Sequence, residues 1–431
     1  MKFLFTVWPF QGCVHPLVAV ANEVKALGHE VGFYTGKAYR PLIERQGFRL
    51  FPFQDLPESL VADLVCTPDG IGRNWTRPWK LHGQLQAFFV DSIPAQFSDM
   101  RRILDSWKPD GVITDPAMLA PVMLLAETDP VPVAICSYAA GCMLKGPGIP
   151  PLGLGLPLPR TLYRRIANEV LDWGAELFLS GIRRRANQIR QSHGLPVVKG
   201  PIIELAGKLP LYLLPSCREF DYNRTGLPAS VHYVGPLQWY PPADPPAWLT
   251  EMPSDQPIIH VTEGTLHFQE PFLLKAGAEG LAGLPMRVVI TTGDDRDPAR
   301  LGFAPLAPNV RVERWVSHKD LLPRTAVMVA TAGGGTTMAA LKDGVPMVLT
   351  PTEWDKADNA RRVVEAGAGV IVPRHRCNPA NIRKAVEHVL AEPSYRANAR
   401  RIADIMAGLG GPVKAAELVV AIGSAGGPRR R

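Results

Sequence analysis

The sequence predicts an α/β protein made of two doubly wound domains that face each other across a cleft. At 431 residues the chain is too long for one ordinary domain and long enough for two. Strand-like and helical segments alternate in each half, as in a parallel sheet covered by helices on both faces. A proline-rich segment at residues 234–249 separates the halves, and its composition favours an extended linker.

In the first half, a buried strand at the N-terminus is followed by a helix that begins near Pro16, because proline is favoured in the first turn of a helix. Residues 56–100 and 140–200 interrupt the alternation, so we expect them to be insertions that carry ligand contacts. The predicted strands of this half are residues 2–7, 30–35, 48–53, 111–114 and 131–136.

The second half repeats the alternation after the linker. In doubly wound folds, ligands bind at the carboxyl ends of the strands, so we expect the functional residues in the loops that follow them. The predicted strands of this half are residues 258–262, 287–291, 310–313, 327–331, 346–349 and 369–372.

Composition excludes several classes of function. The formal charge of +7 comes from scattered Lys and Arg residues, which predicts an anionic small ligand rather than a nucleic-acid partner. We expect neither a signal peptide nor a membrane span, because no cleavage site follows the first apolar run and no apolar run reaches about 18 residues. The oligomeric state stays open, with a homodimer among the states that the sequence allows.

The cysteines predict reduced thiols in a cytoplasmic protein. None of them shows C-x-x-C spacing, so we expect no metal site, and they are too few for a disulfide scaffold of this size. They are Cys13, Cys66, Cys136, Cys142, Cys217 and Cys377.

A glycine loop is the most informative motif. The predicted strand at residues 327–331 runs directly into Gly333, Gly334, Gly335 and Thr336, and a helix follows. Glycines allow the backbone to approach an anion closely, and a helix N-terminus offers free N–H groups and the positive end of a dipole. The segment therefore predicts a phosphate site.

The glycine loop is flanked by further characteristic segments. ERWVSHKDLL precedes it, GVPMVLTPTEWDKADNARRVVEAGAG follows it, and GGPVKAAELV closes the chain. With these segments the sequence resembles the family 1 glycosyltransferases, inverting enzymes of the GT-B fold that modify antibiotics, flavonoids and sterols. The resemblance implies an acceptor-binding domain at residues 1–225, a linker at 226–250, a nucleotide-sugar-binding domain at 251–395, and helices at 396–422 that cross back to the first domain.

The resemblance also implies a donor site. Trp315 corresponds to the residue that stacks on the donor base, and His318 stands near the ribose. The glycine loop binds the pyrophosphate, and residues 354–356 bind hydroxyl groups of the sugar. The implied donor-site residues are Thr265, Trp315, Val316, His318, Thr331, Gly333, Gly334, Gly335, Thr336, Trp354, Asp355 and Lys356.

The sequence departs from the family at the catalytic base. The family has a His three residues before the helix-starting proline, and Cys13 stands there in this chain. The Asp that normally orients that His corresponds to Asp115. Three proton acceptors therefore stay open: Asp115 directly or through water, His15, and Cys13. A phenol or carboxylate acceptor would need little help from a base.

Two further departures bear on the donor. Ala339 replaces a Glu that binds ribose hydroxyls in the family, and Lys356 replaces a Gln that binds the sugar. A site without these hydroxyl-binding groups leaves fewer polar groups unpaired when the donor has fewer hydroxyl groups. This favours a dTDP-deoxysugar over a UDP-sugar.

The expected reaction is sugar transfer with inversion from this nucleotide sugar, without metal or other cofactor, to a hydroxyl or similar nucleophile of a small apolar natural product. We expect aromatic residues of the first half to line the acceptor site. They are Trp8, Phe10, Trp75, Trp79, Phe88 and Phe89. The missing His leaves one alternative, a catalytically inactive relative that binds nucleotide sugars or activates a partner.

Overall fold

Two separate parallel sheets form the framework of the protein. The computed structural model describes residues 1–65, 67, 69–71, 74, 77–253, 256–267, 270–293, 296–303 and 305–425. The first sheet has seven strands in the order β3-β2-β1-β4-β5-β6-β7, and the second has six in the order β10-β9-β8-β11-β12-β13. This arrangement confirms the predicted α/β fold with two doubly wound domains.

The strands of the first sheet occupy residues up to 233. Residues of β1 alternate between two apolar clusters, one on each face of the sheet, because successive side chains of a strand point to opposite sides. The strands are β1 (Lys2–Thr6), β2 (Glu30–Thr35), β3 (Arg49–Pro52), β4 (Gly111–Thr114), β5 (Val133–Cys136), β6 (Leu211–Leu214) and β7 (Val231–Tyr233).

Helices cover both faces of the first sheet, and the two predicted insertions are largely helical. The 31-residue α7 is the longest helix of the first domain. The helices are α1 (Gln11–Ala26), α2 (Arg40–Arg45), α3 (Ser59–Leu64), α4 (Pro78–Leu85), α5 (Ile93–Trp107), α6 (Ala126–Thr128) and α7 (Leu162–Ser192), with a π-helical turn, Gln86–Asp91, between α4 and α5.

The second sheet also packs an apolar cluster on each face. Its strands are β8 (Ile258–Thr262), β9 (Arg287–Thr291), β10 (Val310–Glu313), β11 (Thr325–Ala330), β12 (Met347–Leu349) and β13 (Gly369–Ile371). The helices from residue 247 onwards are α8 (Ala247–Glu251), α9 (Phe272–Gly280), α10 (His318–Leu321), α11 (Gly334–Lys342), α12 (Lys356–Glu365), α13 (Pro379–Ala391), α14 (Pro393–Ala407) and α15 (Gly411–Ala425).

The structure corrects two predicted boundaries. Strand β7 pairs with β6, so the first sheet extends beyond the predicted domain end at residue 225. The sequence prediction also missed β6 and β7, which follow the long helical insertion. The helices predicted to cross back at 396–422 are α14 and α15, which together span residues 393–425. Helix α15 packs on the first domain, against α1, β4 and β6, whereas α14 packs mainly on α11 of the second domain and shares an apolar cluster with Cys217 and Phe220 of the first.

The stretch Pro393–Ala425 is long and apolar enough to cross a membrane by length and composition alone, whereas the sequence analysis predicts no membrane span. In the structure it is divided into α14 and α15 by a turn that contains Gly408 and Gly410. Its apolar residues Ile402, Met406, Ala415 and Val419 are buried against the two domains. Only 22% of the most apolar 18 residues of this stretch are buried, so contacts with the two domains account for part of its apolar character.

A buried ion pair joins the two domains. Arg362 of α12 donates from Nε to Oδ1 of Asp221 at 3.0 Å, and both side chains are almost fully buried. Asp221 also accepts bonds from the Cys142 amide and the Tyr233 hydroxyl. A Cβ at Gly141 would lie 2.2 Å from the guanidinium, so only glycine leaves room for Arg362.

A loop of the first domain extends this contact along α12. Asp358 accepts the backbone N–H groups of Gly153 and Gly155 at 2.6 and 2.8 Å. Arg160 forms an ion pair with Glu365 two turns further along the helix. The segment 153–160 therefore ties the first domain to the helix that carries the implied sugar-binding residues at its start.

We expect Arg362→Leu to lower the free energy of unfolding by about 2 kcal/mol, because the buried Asp221 loses a charge-assisted hydrogen bond and keeps only the more distant Arg224, at 3.8 Å, as its ion-pair partner. The control is Arg40→Leu, which breaks an exposed pair with Glu44 and should cost less than about 1 kcal/mol. Chemical denaturation followed by tryptophan fluorescence measures both. Equal losses in the two variants would contradict a special role for the buried pair.

Candidate functional site

The topology brings four loops together in one cleft. In each sheet the strand order reverses at one point, between β1 and β4 and between β8 and β11. Ligands of doubly wound folds bind at such points, outside the carboxyl ends of the strands. The loops after these four strands border one cavity of about 620 Å³ between the domains, which is the size of a small-molecule site.

The glycine loop, which the sequence predicts to bind phosphate, forms one side of this cleft. Helix α11 begins at Gly334, and its first N–H groups, at residues 334–336, have no acceptor within the helix. A Cβ at Gly334 would lie 2.9 Å from the carbonyl oxygen of Tyr138 in the other domain, so the close approach of the domains requires glycine. The residues 333–336 all line the cleft, as the sequence predicted.

The implied nucleoside-binding residues lie beside the glycine loop. Trp315, Val316 and His318 line the cleft, and His318 is the first residue of α10. Burial lowers the pKa of His318 to about 4, so this imidazole is neutral at pH 7. Its ring packs edge-on against His260 at 5.4 Å, and the Nε2 atom of His260 lies 3.0 Å from the Thr291 hydroxyl.

Lys356 has a different role from the one that the sequence implied. Although it lines the cleft, its Nζ donates to the Leu266 carbonyl, the Thr352 hydroxyl and the Glu353 carboxylate at 3.0–3.3 Å. An ammonium group has three N–H bonds, and all three are used. Lys356 therefore holds two cleft loops together instead of offering a free cation to a sugar or phosphate.

Three other implied donor residues also line the cleft. Asp355 and Trp354 lie next to Lys356, and Thr265 lies on the loop after β8. Burial raises the pKa of Asp355, while the side chain of Asn359 donates to Oδ2 at 2.9 Å and favours the charged form.

Thr331 does not line the cleft. It is buried, and its hydroxyl donates to the Glu263 carbonyl at 2.9 Å. The implied donor contact by Thr331 is therefore wrong: this hydroxyl joins the ends of the neighbouring strands β8 and β11.

The wall predicted to bind the acceptor is apolar and comes from the first domain. Trp8, Phe10, Phe88 and Phe89 line the cleft as predicted, and the Trp8 and Phe88 rings stack at 4.4 Å. Trp79 is 73% exposed and lies outside the lining, so this prediction is wrong: Trp79 lies on a surface of the short helix α4 that faces solvent. The predicted contact by Trp75 lies outside the described residues.

The sequence prediction missed two parts of the lining. Linker residues 237–241 form one wall, and Trp239 packs edge-on against His15 at 4.9 Å. Helix α7 contributes the other part, through one face. The 3–4-residue spacing of these α7 positions was a usable signal, because such residues share a helix face. The α7 residues are Glu176, Leu179, Ile182 and Arg183.

Asp115 is sequestered below the cleft. Its carboxylate accepts backbone N–H bonds from Trp8, Ala117 and Met118 at 2.7–2.9 Å, and the residue is fully buried outside the lining. Burial raises its pKa to about 6, against the effect of the three N–H donors. The structure therefore contradicts Asp115 as the direct proton acceptor: its carboxylate fixes the loops after β1 and β4.

The two remaining candidates differ in their state of protonation. Burial raises the pKa of Cys13 well above that of an ordinary thiol, with Asp115 and Asp355 adding to the effect. Cys13 lines the cleft, but a protonated thiol is a poor base, so this pKa does not favour Cys13 as the proton acceptor. Burial lowers the pKa of His15 to about 4, and its half-buried ring lines the cleft in the neutral form.

Comparison with known proteins identifies the family. Residues 280–422 match the model of the erythromycin biosynthesis protein CIII-like C-terminal domain. The 4'-demethylrebeccamycin synthase of Lentzea aerocolonigenes is 34% identical over 97% of this chain and 98% of its own. The chain belongs to the natural-product glycosyltransferases. The relatives of this glycosyltransferase carry the names of enzymes, such as UDP-glycosyltransferase 2 of Phaeomoniella chlamydospora, which does not favour the alternative of an inactive binding protein.

Solved structures confirm the GT-B fold of this glycosyltransferase. The glycotransferase of kitacinnamycin superposes with a TM-score of 0.75 at 21% identity and covers 98% of both chains. The glycosyltransferase VinC, solved in complex with dTDP, gives a TM-score of 0.68 at 22% identity, over 99% of this chain and 100% of its own.

Asp115→Asn should lower the stability of the glycosyltransferase more than it lowers kcat. An amide NH₂ in place of one carboxylate oxygen leaves at least one buried N–H without an acceptor, which costs about 1–3 kcal/mol. We expect a lower midpoint of thermal unfolding and, well below that midpoint, a kcat within tenfold of the wild type. A hundredfold loss of kcat with unchanged stability would restore Asp115 as the base.

Proposed function

We propose that the enzyme transfers a sugar from a nucleoside diphosphate, with inversion, to a hydroxyl or similar nucleophile of a small, largely apolar natural product. The observation that carries the proposal is the opposition of two walls in one cavity. The N-terminus of α11 and its glycine loop lie on one side, and the aromatic wall around Trp8 and Phe88 lies on the other. A charged donor and an apolar acceptor can therefore meet between the domains.

The leaving diphosphate is stabilised by backbone groups in this proposal. The free N–H groups of residues 334–336 and the dipole of α11 face it from the second domain. Gln11 and Gly12, at the N-terminus of α1, line the cleft from the first domain. Since negative charge develops on the diphosphate during transfer, these fixed donors supply stabilisation where it is needed, and we propose that the reaction needs no metal.

We further propose dTDP and a deoxysugar as the donor. Ala339, which replaces the family's ribose-binding Glu, is fully buried in an apolar cluster of the second domain and offers no hydrogen bond. Lys356, which replaces the sugar-binding Gln, uses its donors within the protein. VinC, a protein of the same fold, was solved with dTDP. All three observations favour a donor with fewer hydroxyl groups.

Competition binding tests this donor. We expect dTDP to bind about tenfold more tightly than UDP, a difference of roughly 1.4 kcal/mol. The matched control is dUDP, which differs from UDP only at the 2'-hydroxyl and should bind like dTDP. A UDP affinity that exceeds the dTDP affinity tenfold would contradict the proposal. An Ala339→Glu variant is a poor test, because it would bury a carboxylate in an apolar cluster.

We propose His15 as the proton acceptor. Its imidazole is neutral above about pH 4, faces the cleft, and is oriented by the Trp239 ring. A base with so low a pKa is effective only with an acceptor whose hydroxyl is itself acidic, such as a phenol. The low pKa of His15 therefore supports an aromatic acceptor with an acidic hydroxyl group. The apolar wall supports an aromatic acceptor independently.

His15→Gln should lower kcat by about a hundredfold, because glutamine keeps much of the shape but cannot accept the proton. Cys13→Ser is the control and should leave kcat within about threefold. In the wild type we expect kcat/KM to stay level from pH 6 to 8 and to fall below about pH 4, where His15 becomes protonated. An active His15→Gln enzyme, or a Cys13→Ser enzyme with equal loss, would exclude His15.

A further inference from the structure

The wall proposed to bind the acceptor contains one pair of oppositely charged side chains that the proposed reaction does not use. Among the described residues of the first domain that line the cleft, the only Asp, Glu, Lys or Arg side chains are Glu176 and Arg183 of α7. Apolar side chains surround them on the same helix face, among them Leu179 and Ile182. An ion pair in such a wall loses hydration when an acceptor covers it, which is unfavourable unless the acceptor replaces the lost hydrogen bonds.

The pair is incompletely bonded. Nη1 of Arg183 donates to Oε2 of Glu176 at 2.5 Å, and the two side chains are 26% and 32% exposed. No other hydrogen bond to either side chain comes from the residues that the structure describes. A guanidinium has five N–H groups and a carboxylate has two oxygens, so both donors and an acceptor remain for a ligand.

The pair is not what holds α7 in place. The C-terminal half of the helix is fixed by Arg190, whose Nη1 donates to the Met123 carbonyl at 2.6 Å, and by two bonds between Asn187 and the backbone of Val198. A partly exposed ion pair contributes about 0–1 kcal/mol to stability. Its position in the cleft lining therefore points to recognition rather than to folding.

We propose that Arg183, oriented by Glu176, binds a carbonyl group of the acceptor. This inference rests on the proposed function and narrows its substrate class to mainly apolar molecules with a carbonyl group. Arg183 donates to the carbonyl oxygen, and Glu176 holds the guanidinium in position. A neutral carbonyl is favoured over a carboxylate, because Glu176 repels a second negative charge.

Two probes with one ring skeleton test this assignment. The dissociation constants of 2-hydroxyanthraquinone and 2-hydroxyanthracene are measured by tryptophan fluorescence at saturating dTDP. We expect the wild type to bind the quinone at least tenfold more tightly. Arg183→Met should remove this preference and leave the affinity for 2-hydroxyanthracene within twofold.

Arg184→Met is the matched control, because Arg184 is exposed, is next in sequence and does not line the cleft. It should keep the quinone preference. Equal affinity for the two probes in the wild type, no binding of the quinone, or the same loss in Arg184→Met would overturn the proposal. The titration measures probe binding without turnover. A failure of this proposal can therefore be distinguished from a failure of the proposed sugar transfer.

Glu176→Gln provides a second, independent measurement. Anthraquinone-2-carboxylate should bind the wild type more weakly than 2-hydroxyanthraquinone does, and Glu176→Gln should tighten its binding about threefold by removing the repulsion. An unchanged affinity of the carboxylate probe in this variant would contradict the role of Glu176.

Discussion

The ion pair between Arg362 and Asp221 sets how the two domains face each other. Both groups are buried, and Asp221 at the same time holds the Cys142 amide and the Tyr233 hydroxyl of its own domain. Asp221 also has Arg224 of its own domain at 3.8 Å, and its shorter bond to Arg362 favours the relative orientation of the domains in which this bond forms. The bonds from segment 153–160 to Asp358 and Glu365 then secure α12 along its length.

The geometry of the site follows from this closed arrangement. The carbonyl of Tyr138 lies against Gly334, so the N-terminus of α11 stands directly above the first domain's loops. Helix α12 is bonded to the first domain through Asp358 and Glu365. The helix begins with Lys356, whose ammonium group joins the loops after β8 and β12. Contacts with the first domain therefore also affect the part of the second domain where we propose that the donor sugar binds.

Much of the fold could be predicted from the sequence, because hydrophobic runs and glycine ends mark the strands and helices of a doubly wound domain. The glycine loop was also predictable, since its chemistry is local. The roles of Asp115, Thr331 and Lys356 were not, because each depends on which atoms of distant segments fill its hydrogen bonds: Trp8 for Asp115, Glu263 for Thr331 and Leu266 for Lys356. Charge and spacing alone do not show whether a polar group is already satisfied.

The linker has a consequence for ligand binding. Residues 237–241 connect the domains and also form a wall of the cleft, where Trp239 orients His15 and Gln238 donates to the Gly335 carbonyl at 3.4 Å. Any separation of the domains about this linker would therefore also move one wall of the cleft and break the contact between Trp239 and His15. Substitutions in the linker are thus expected to change ligand binding as well as the relative position of the domains.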